Sequence, residues 1–151
     1  MFYSLGAHPG FLCREGDRLC FDSLNELICH RLTADTHLLK SESTVVSLDG
    51  HALVLTDSLF EADAMLLEKP DVAGVTLQRV EGASVRLEFD KVPWLGVWSK
   101  PAGGGLRYVC LEPWLGVDDP VDSNHDIEHK EAVQSLAAGE EAAFNLAVQA
   151  V

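Results

Sequence analysis

Hydrophobic and polar residues alternate with a period of two along much of the chain. The clearest case is the segment 83–90, where apolar and polar residues alternate without a break. Successive side chains of a strand point to opposite faces of its sheet, so this pattern predicts a half-buried strand. The β-branched segment 75–80 precedes it. Residues 81–82, Glu-Gly, lie between the two and predict a hairpin with a two-residue turn.

Several further segments have strand-like patterns, and turn-forming residues separate them. Many short strands at close spacing favour an antiparallel β-sandwich, formed here as a single domain over residues 1–151. The additional strand candidates are 17–22, 44–48, 63–68, 107–112 and 144–149, and the turn candidates are 49–50, 69–71, 81–82 and 103–105.

Helical signals are weaker. Residues 23–26, Ser-Leu-Asn-Glu, match a capping box and predict one or two helical turns ahead of Leu27. The alanine-rich stretch 130–139 predicts a single turn. The acidic stretch 117–131 is expected to be a long solvated loop.

Composition and charge exclude several classes of protein. The chain has 24 acidic and 11 basic residues and a formal charge of −13. This balance argues against nucleic acid and against an anionic membrane surface as partners, because both need a basic face. No apolar run approaches the ~20 residues of a membrane span, and the first residues lack a basic leader. We therefore expect a soluble, cytoplasmic protein with an ordinary core, since 47% of its residues are hydrophobic.

The cysteines and one histidine motif do not indicate a metal. The four cysteines form no C-x-x-C pair, and we expect buried, reduced thiols. Residues 125–129 match the H-x-x-E-H pattern of inverted zinc peptidases, but that motif functions on a rigid helix and here lies in an acidic stretch. We expect no metal and no cofactor. The cysteines are Cys13, Cys20, Cys29 and Cys110.

Two residues are candidates for acid–base chemistry. His8 lies between glycines and a proline, which allow an unusual backbone path and could aim its imidazole into a cleft. The alternative is a turn that happens to contain a histidine. Glu112 ends a strand-like run and shares a face with Tyr108 and Cys110, and burial there would raise its pKa. The alternative is an exposed carboxylate at a strand end.

Asp63 and the tryptophans are weaker candidates. Asp63 begins an apolar run and is either a functional carboxylate or a turn residue at a strand entry. Trp94, Trp98 and Trp114 lie close together in sequence and could offer faces for sugar stacking, although core packing is the more common role for any one of them. An all-β chain with one histidine and one glutamate suits proton transfer on a neutral, polar substrate.

Three motifs give the chain a resemblance to a known family. They are SLGAHPGF at 4–11, PWLGVWSK at 93–100 and VCLEPWLG at 109–116. In this order and spacing they resemble the aldose 1-epimerase (galactose mutarotase-like) family, and most closely its LacX-like bacterial branch. The tail 130–140 also fits the ending of that family.

The resemblance implies a galactose mutarotase-like sandwich, or supersandwich, with a sugar-binding cleft on one sheet. It implies that the protein interconverts the α and β anomers of a free aldose without a cofactor. The residue at Glu112 would act as base and that at His8 as acid. Asp63 and Trp98 would bind the substrate.

One departure concerns length. Family members are about twice as long, and the resemblance covers their C-terminal half, so the sandwich is expected to be partial. Open strand edges would then need a second copy of the chain, as in a homodimer, or a separate N-terminal half. The alternative function is a catalytically silent carbohydrate-binding protein, or a truncated fragment that needs its N-terminal half.

Overall fold

The computed structural model describes residues 1–100 and 105–151. Within these residues the chain forms thirteen strands and two 3₁₀ helices, at Asp57–Phe60 and Ile127–His129. The strands are β1 (Phe2–Tyr3), β2 (Gly10–Leu12), β3 (Arg18–Cys20), β4 (Glu26–Leu32), β5 (Leu39–Ser47), β6 (Ala52–Val54), β7 (Met65–Glu68), β8 (Gly74–Gln78), β9 (Val85–Phe89), β10 (Trp94–Trp98), β11 (Tyr108–Trp114), β12 (Gln134–Ser135) and β13 (Leu146–Ala150).

Two large sheets form an antiparallel β-sandwich, as the alternation predicts. The six-stranded sheet has the order β2-β11-β10-β7-β4-β5, and the five-stranded sheet has the order β13-β9-β8-β3-β6. A short third sheet pairs β1 with β12. Every pair of neighbouring strands in these sheets is antiparallel. The main core joins residues of both sheets, including Leu19 and Leu87 from one and Leu67 and Leu111 from the other.

The six-stranded sheet also has a second face, turned away from this core, which we call the outer face. It carries a smaller buried cluster of Leu39, Ala64, Leu66, Trp94 and Val117. Trp98 and Trp114 pack against this cluster. Because opposite residues of an antiparallel pair share a face, the register Gly96↔Glu112 and Trp98↔Cys110 places these residues on the outer face too.

The hairpin of β8 and β9 is confirmed, but its predicted two-residue turn is wrong. Val75 pairs with Leu87 and Leu77 with Val85, so the connection spans residues 79–84. The backbone N–H of Val80 leaves the sheet and donates to Oδ1 of Asp17 at 2.8 Å. Asp17 is buried, and its need for donors outweighs the local preference for a tight turn.

Both helix predictions are wrong. Glu26 begins β4, which pairs with β5 on one side and β7 on the other, so these long-range ladders override the local capping box. In the stretch 130–139, residues 134–135 form β12 and pair with β1.

The remaining strand candidates coincide with β3, β5, β7, β11 and β13, with bounds that differ by a few residues. The acidic stretch 117–131 is mainly exposed loop with one short 3₁₀ helix. The turn predicted at 103–105 lies partly outside the described residues. All four cysteines are free, with Cys29 and Cys110 buried and Cys13 and Cys20 half-buried. The described parts of the chain contain no helix with the length and hydropathy that crossing a membrane requires.

The sandwich core makes a prediction about stability. Leu87 is fully buried in the core, so Leu87→Ala should lower the free energy of unfolding by about 2–5 kcal/mol. Val148 on the neighbouring edge strand β13 is 53% exposed, and Val148→Ala should change it by no more than about 0.5 kcal/mol. Urea denaturation of the two variants measures both effects. Equal losses would contradict this placement of the core.

Candidate functional site

Strand β11 carries Glu112 in the interior of the six-stranded sheet. Alternation along β11 sends Val109 and Leu111 into the main core and Cys110 and Glu112 to the outer face. The strand is paired on both sides, by β2 and by β10. Its backbone is therefore fixed, and Glu112 is held at 3% exposure.

The segment before β2 brings His8 beside this carboxyl. Backbone hydrogen bonds tie it to β11 on both sides of His8: the N–H of Ala7 donates to the carbonyl of Pro113, and the N–H of Leu111 donates to the carbonyl of Pro9. Both bonds measure 3.1 Å. The glycines and proline around His8 therefore belong to an edge segment that runs along β11. The imidazole of His8 makes no part of this backbone pairing and can reach the side chain of Glu112.

His8 and Glu112 are in direct contact. The distance between His8 Nε2 and Glu112 Oε1 is 3.1 Å. The side chain of His8 is 60% exposed and that of Glu112 only 5%, so the imidazole faces solvent while the carboxyl lies beneath it. The structure thus brings together two residues that are far apart in sequence and that the sequence indicates as acid and base.

Burial has a direct effect on the protonation of Glu112. Loss of solvation raises the pKa of Glu112 to about 7, and the negative charges of Asp118 and Asp63 add to this rise. The positive charge of His8 acts in the opposite direction. A carboxyl group with a pKa near neutrality can both accept and return a proton under ordinary conditions.

Asp63 lies near the pair but is engaged elsewhere. Its Oδ1 accepts the N–H of Ala64 at 2.8 Å, and its Oδ2 is 3.4 Å from His37 Nδ1. Its backbone has a positive φ of 66°, and its carbonyl accepts a bond from Arg31. The structure therefore shows a strained turn residue whose charge still reaches Glu112.

Trp98 lies beside His8 on the outer face. The ring centroids of His8 and Trp98 are 6.3 Å apart in an edge-on arrangement, and Trp98 meets Tyr108 in the same way at 6.0 Å. Tyr108 shares the face of Glu112, as the alternation along β11 predicts. His37, in contrast, is not indicated by any sequence signal, because its meeting with Asp63 depends on the folded chain.

A cavity of about 370 Å³ opens next to His8. It is lined by the segment 4–8, Trp114, the segment 116–118 and Lys130. Glu112 is not among these residues, so the acid–base pair lies at the edge of the cavity. Lys130 is itself bonded to Asp119 at 2.9 Å.

The site also contains a set of potential metal donors. Donor atoms of His8, Cys110 and Glu112 lie within 4.8 Å of one another, and the described residues contain no other such group of three. Burial raises the pKa of Cys110 to about 11, which keeps this residue a neutral thiol, whereas the metal ligand is the thiolate. A cation would also have to replace the contact between His8 and Glu112. The arrangement therefore fits a proton-transfer pair better than a metal centre.

The H-x-x-E-H motif is spread over an exposed loop. His125 is near Asp119 at 3.3 Å and His129 is near Asp126 at 2.8 Å, and both histidine side chains are 73% exposed. The only regular element within the motif is the three-residue 3₁₀ helix at 127–129.

A second imidazole–carboxylate pair, absent from the sequence predictions, lies on the same sheet. His30 Nε2 is 3.1 Å from Glu68 Oε2, on strands β4 and β7. Hydrogen bonds from Lys69 and His30 hold the pKa of Glu68 below its usual range. Glu68 therefore remains ionised near neutral pH, unlike Glu112.

Comparison with known proteins identifies the fold. No protein-family model matches the chain, and no curated protein matches its sequence. Among solved structures, the chain is similar to a galactose mutarotase related enzyme from Lactobacillus acidophilus, with a TM-score of 0.80 and 24% identity over 100% of this chain and 52% of that one. It is also similar to a galactose mutarotase-like protein from Lactobacillus casei, with a TM-score of 0.74 and 23% identity over 98% of this chain and 52% of that one.

These likenesses show that the chain has a galactose mutarotase-like fold, as the sequence motifs imply. The chain spans about half the length of each of the two solved structures.

The raised pKa of Glu112 predicts how stability varies with pH. Glu112 titrates near ~4.3 in an unfolded chain and at about 7 in the folded one, so the folded chain binds more protons between these values. The stability that Glu112 contributes is complete below about pH 4.3 and is lost as the pH rises through 7. Glu112→Gln abolishes this titration. Relative to the wild type, its free energy of unfolding should increase by about 2–3 kcal/mol from about pH 5 to about pH 8.

Urea denaturation at the two pH values measures this change. Glu42→Gln on strand β5 is the matched control, because Glu42 is exposed and its substitution should leave the pH dependence unchanged. If the difference in free energy of unfolding between Glu112→Gln and the wild type does not change with pH, the pKa of Glu112 is not raised by folding.

Proposed function

We propose that the chain is an aldose 1-epimerase-like isomerase that interconverts the α and β anomers of a free hexose. The observation that carries this proposal is the 3.1 Å contact between the buried carboxyl of Glu112 and the exposed imidazole of His8. The two groups can serve opposite ends of one proton-transfer reaction, and the galactose mutarotase-like fold supports the assignment.

In the first half of the proposed reaction, the ring opens. The carboxylate of Glu112 takes the proton of the anomeric hydroxyl, and the electrons of that O–H bond form the C1 carbonyl. The bond between C1 and the ring oxygen breaks, and its electron pair stays on oxygen. The protonated imidazole of His8 donates a proton to that oxygen, which yields the open-chain aldehyde.

In the second half, the ring closes on the other face. Rotation about the C1–C2 bond presents the opposite face of the aldehyde. The sugar hydroxyl that formed when the ring opened attacks C1, and His8 takes back the proton of that hydroxyl. Glu112 then returns a proton to the former carbonyl oxygen. The cycle restores both residues and needs no cofactor.

Asp63 and Trp98 are the proposed substrate-binding residues. The ring of Trp98 lies next to His8, where it can receive the C–H face of a sugar bound to the pair. The carboxylate of Asp63 can accept a sugar hydroxyl in exchange for its contact with His37. Lys130, the basic residue that lines the cavity, is paired with Asp119, so a neutral sugar suits this site better than a sugar phosphate.

We also propose that the chain corresponds to the C-terminal half of a LacX-like epimerase and that another chain completes it. The chain spans about half of the similar structures, and the nine-residue strand β5 ends the six-stranded sheet with Val45 64% exposed. A second copy or a separate N-terminal half would pair with this edge. The free thiols fit a reducing, cytoplasmic compartment.

Polarimetry on freshly dissolved α-galactose and α-glucose tests the catalytic proposal. The chain should speed equilibration over buffer, and Glu112→Gln and His8→Asn should each lose about 10²–10⁴-fold of this rate, because each loses one proton-transfer partner. Glu141→Gln and His129→Asn, at exposed positions before β13 and in the acidic loop, are the matched controls and should retain it.

The outcomes separate the two candidate functions. Wild-type rates in both site variants would show that the acid and base are wrongly assigned. The chain spans about half the length of the similar structures, and the alternative function is a sugar-binding protein without turnover. Sugar binding by calorimetry with no acceleration by the wild-type chain would support that alternative and contradict catalysis by this chain alone.

A further inference from the structure

The ring of Trp114 packs over the strand next to Glu112 because that strand carries a glycine there. Gly96 on β10 is directly opposite Glu112 on β11. A Cβ atom placed on Gly96 would lie 3.0 Å from Cζ2 and 3.1 Å from Cη2 of Trp114, and 3.2 Å from Cβ of Glu112. The six-membered ring of the Trp114 indole therefore covers the bare backbone of Gly96, right next to Glu112.

A second glycine makes room for the other end of the same ring. Gly6 pairs with Trp114 in an isolated antiparallel bridge, and a Cβ atom there would lie 2.5 Å from Cδ1 of Trp114. Trp94 is directly opposite Trp114 in the pairing of β10 with β11. Trp94 belongs to the buried cluster of the outer face, and Trp114 packs against that cluster. We call this arrangement of Gly6, Gly96 and Trp94 around the indole the Trp114 seat.

The seat joins the three motifs that are separate in sequence. Gly6 belongs to the His8 motif, Gly96 to the β10 motif, and Trp114 to the Glu112 motif. A Cβ atom at Gly6 would force the indole to move, and one at Gly96 would press on both the indole and the Cβ atom of Glu112. The three motifs are therefore needed together for the ring to pack in this position next to Glu112.

The seated indole affects Glu112 through solvation. A flat apolar surface next to a carboxyl excludes water and disfavours its charged form. The other groups that act on Glu112 are the imidazole of His8, which favours the charge, and the carboxylates of Asp63 and Asp118, which oppose it. The neighbouring thiol of Cys110 is neutral near pH 7. Loss of solvation is the largest of these effects.

We propose that Trp114, held on Gly6 and Gly96, is a positioning residue that keeps water away from Glu112 and thereby sets the pH at which the acid–base pair works. The statement about working pH rests on the proposed function. The seat and the titration of Glu112 do not, since both can be measured without turnover.

The test is a titration of the Glu112 side-chain carboxyl by ¹³C NMR, with the signal assigned by its loss in Glu112→Gln. In Trp114→Leu the shorter side chain no longer covers Gly96. The midpoint of the Glu112 titration in this variant should fall by at least about one pH unit towards the ordinary value of ~4.3. Gly6→Ala should shift the midpoint in the same direction by a smaller amount, because its Cβ atom would lie 2.5 Å from Cδ1 of Trp114 and would move the ring without deleting it.

Gly10→Ala is the matched control. Gly10 is opposite Cys110 on the other side of β11, and a Cβ atom there would meet only the Cys110 sulfur at an ordinary 3.5 Å. The midpoint of the Glu112 titration in Gly10→Ala should equal that of the wild type. Thermal unfolding establishes that each variant is folded, and Gly6→Ala alone decides the question if Trp114→Leu does not fold.

Wild-type midpoints in the folded Trp114→Leu and Gly6→Ala variants would overturn the proposal. If the wild-type chain turns over sugar, the acidic limb of its kcat/KM profile should move to lower pH in both variants by the same amount as the NMR midpoint. If the chain has no turnover, the proposed catalysis fails while the NMR titration still decides the role of Trp114.

Discussion

A carboxyl group held out of water is the constraint around which the outer face of the six-stranded sheet is organised. Glu112 cannot turn towards solvent, because its strand is paired on both sides and its neighbours along β11 are fixed in the main core. The side chain must therefore find its environment on the outer face. Among the described residues His8 supplies the polar contact of Glu112, and the indole of Trp114 lies over the adjacent backbone. The two neighbours act in opposite directions on the pKa of Glu112: the charge of His8 lowers it, whereas we expect the indole to keep it high by excluding water.

The same sheet shows what a different environment does to the same pair of side chains. Glu68 lies two strands away from Glu112 in the sheet, and it contacts His30 at the same separation of 3.1 Å. Glu68 has Lys69 as a second partner, and its pKa is lowered, whereas Glu112 has Asp63 and Asp118 nearby and its pKa is raised. A carboxyl that stays ionised holds a structure together, and one that titrates near neutrality can move protons. The contact distance alone does not distinguish the two pairs, but burial and neighbouring charge do.

The alternation of apolar and polar residues predicts those strands whose positions are determined by residues close together in sequence. Period-two alternation locates most of the longer strands, because the side chains of a half-buried strand must alternate. It fails where residues distant in sequence determine the local structure. Val80 donates to Asp17 and so lies outside the hairpin ladder. The segment that resembles a helix start forms β4, because it pairs with β5 and β7. The site shows the same division. His8 and Glu112 are indicated by their glycine, proline and strand contexts. The Trp114 seat and the pairing of His30 with Glu68 depend on strand register, which no single segment encodes.

The central claim is that the outer face around Glu112 binds an aldose. Amide ¹H–¹⁵N spectra of the labelled chain, recorded during a titration with galactose, test this most directly. We expect the largest shifts at His8, Trp98 and Glu112, with little change on the five-stranded sheet. Saturating galactose that shifts residues of β3, β6, β8 or β9 instead, or that leaves the outer face unchanged, would contradict the account.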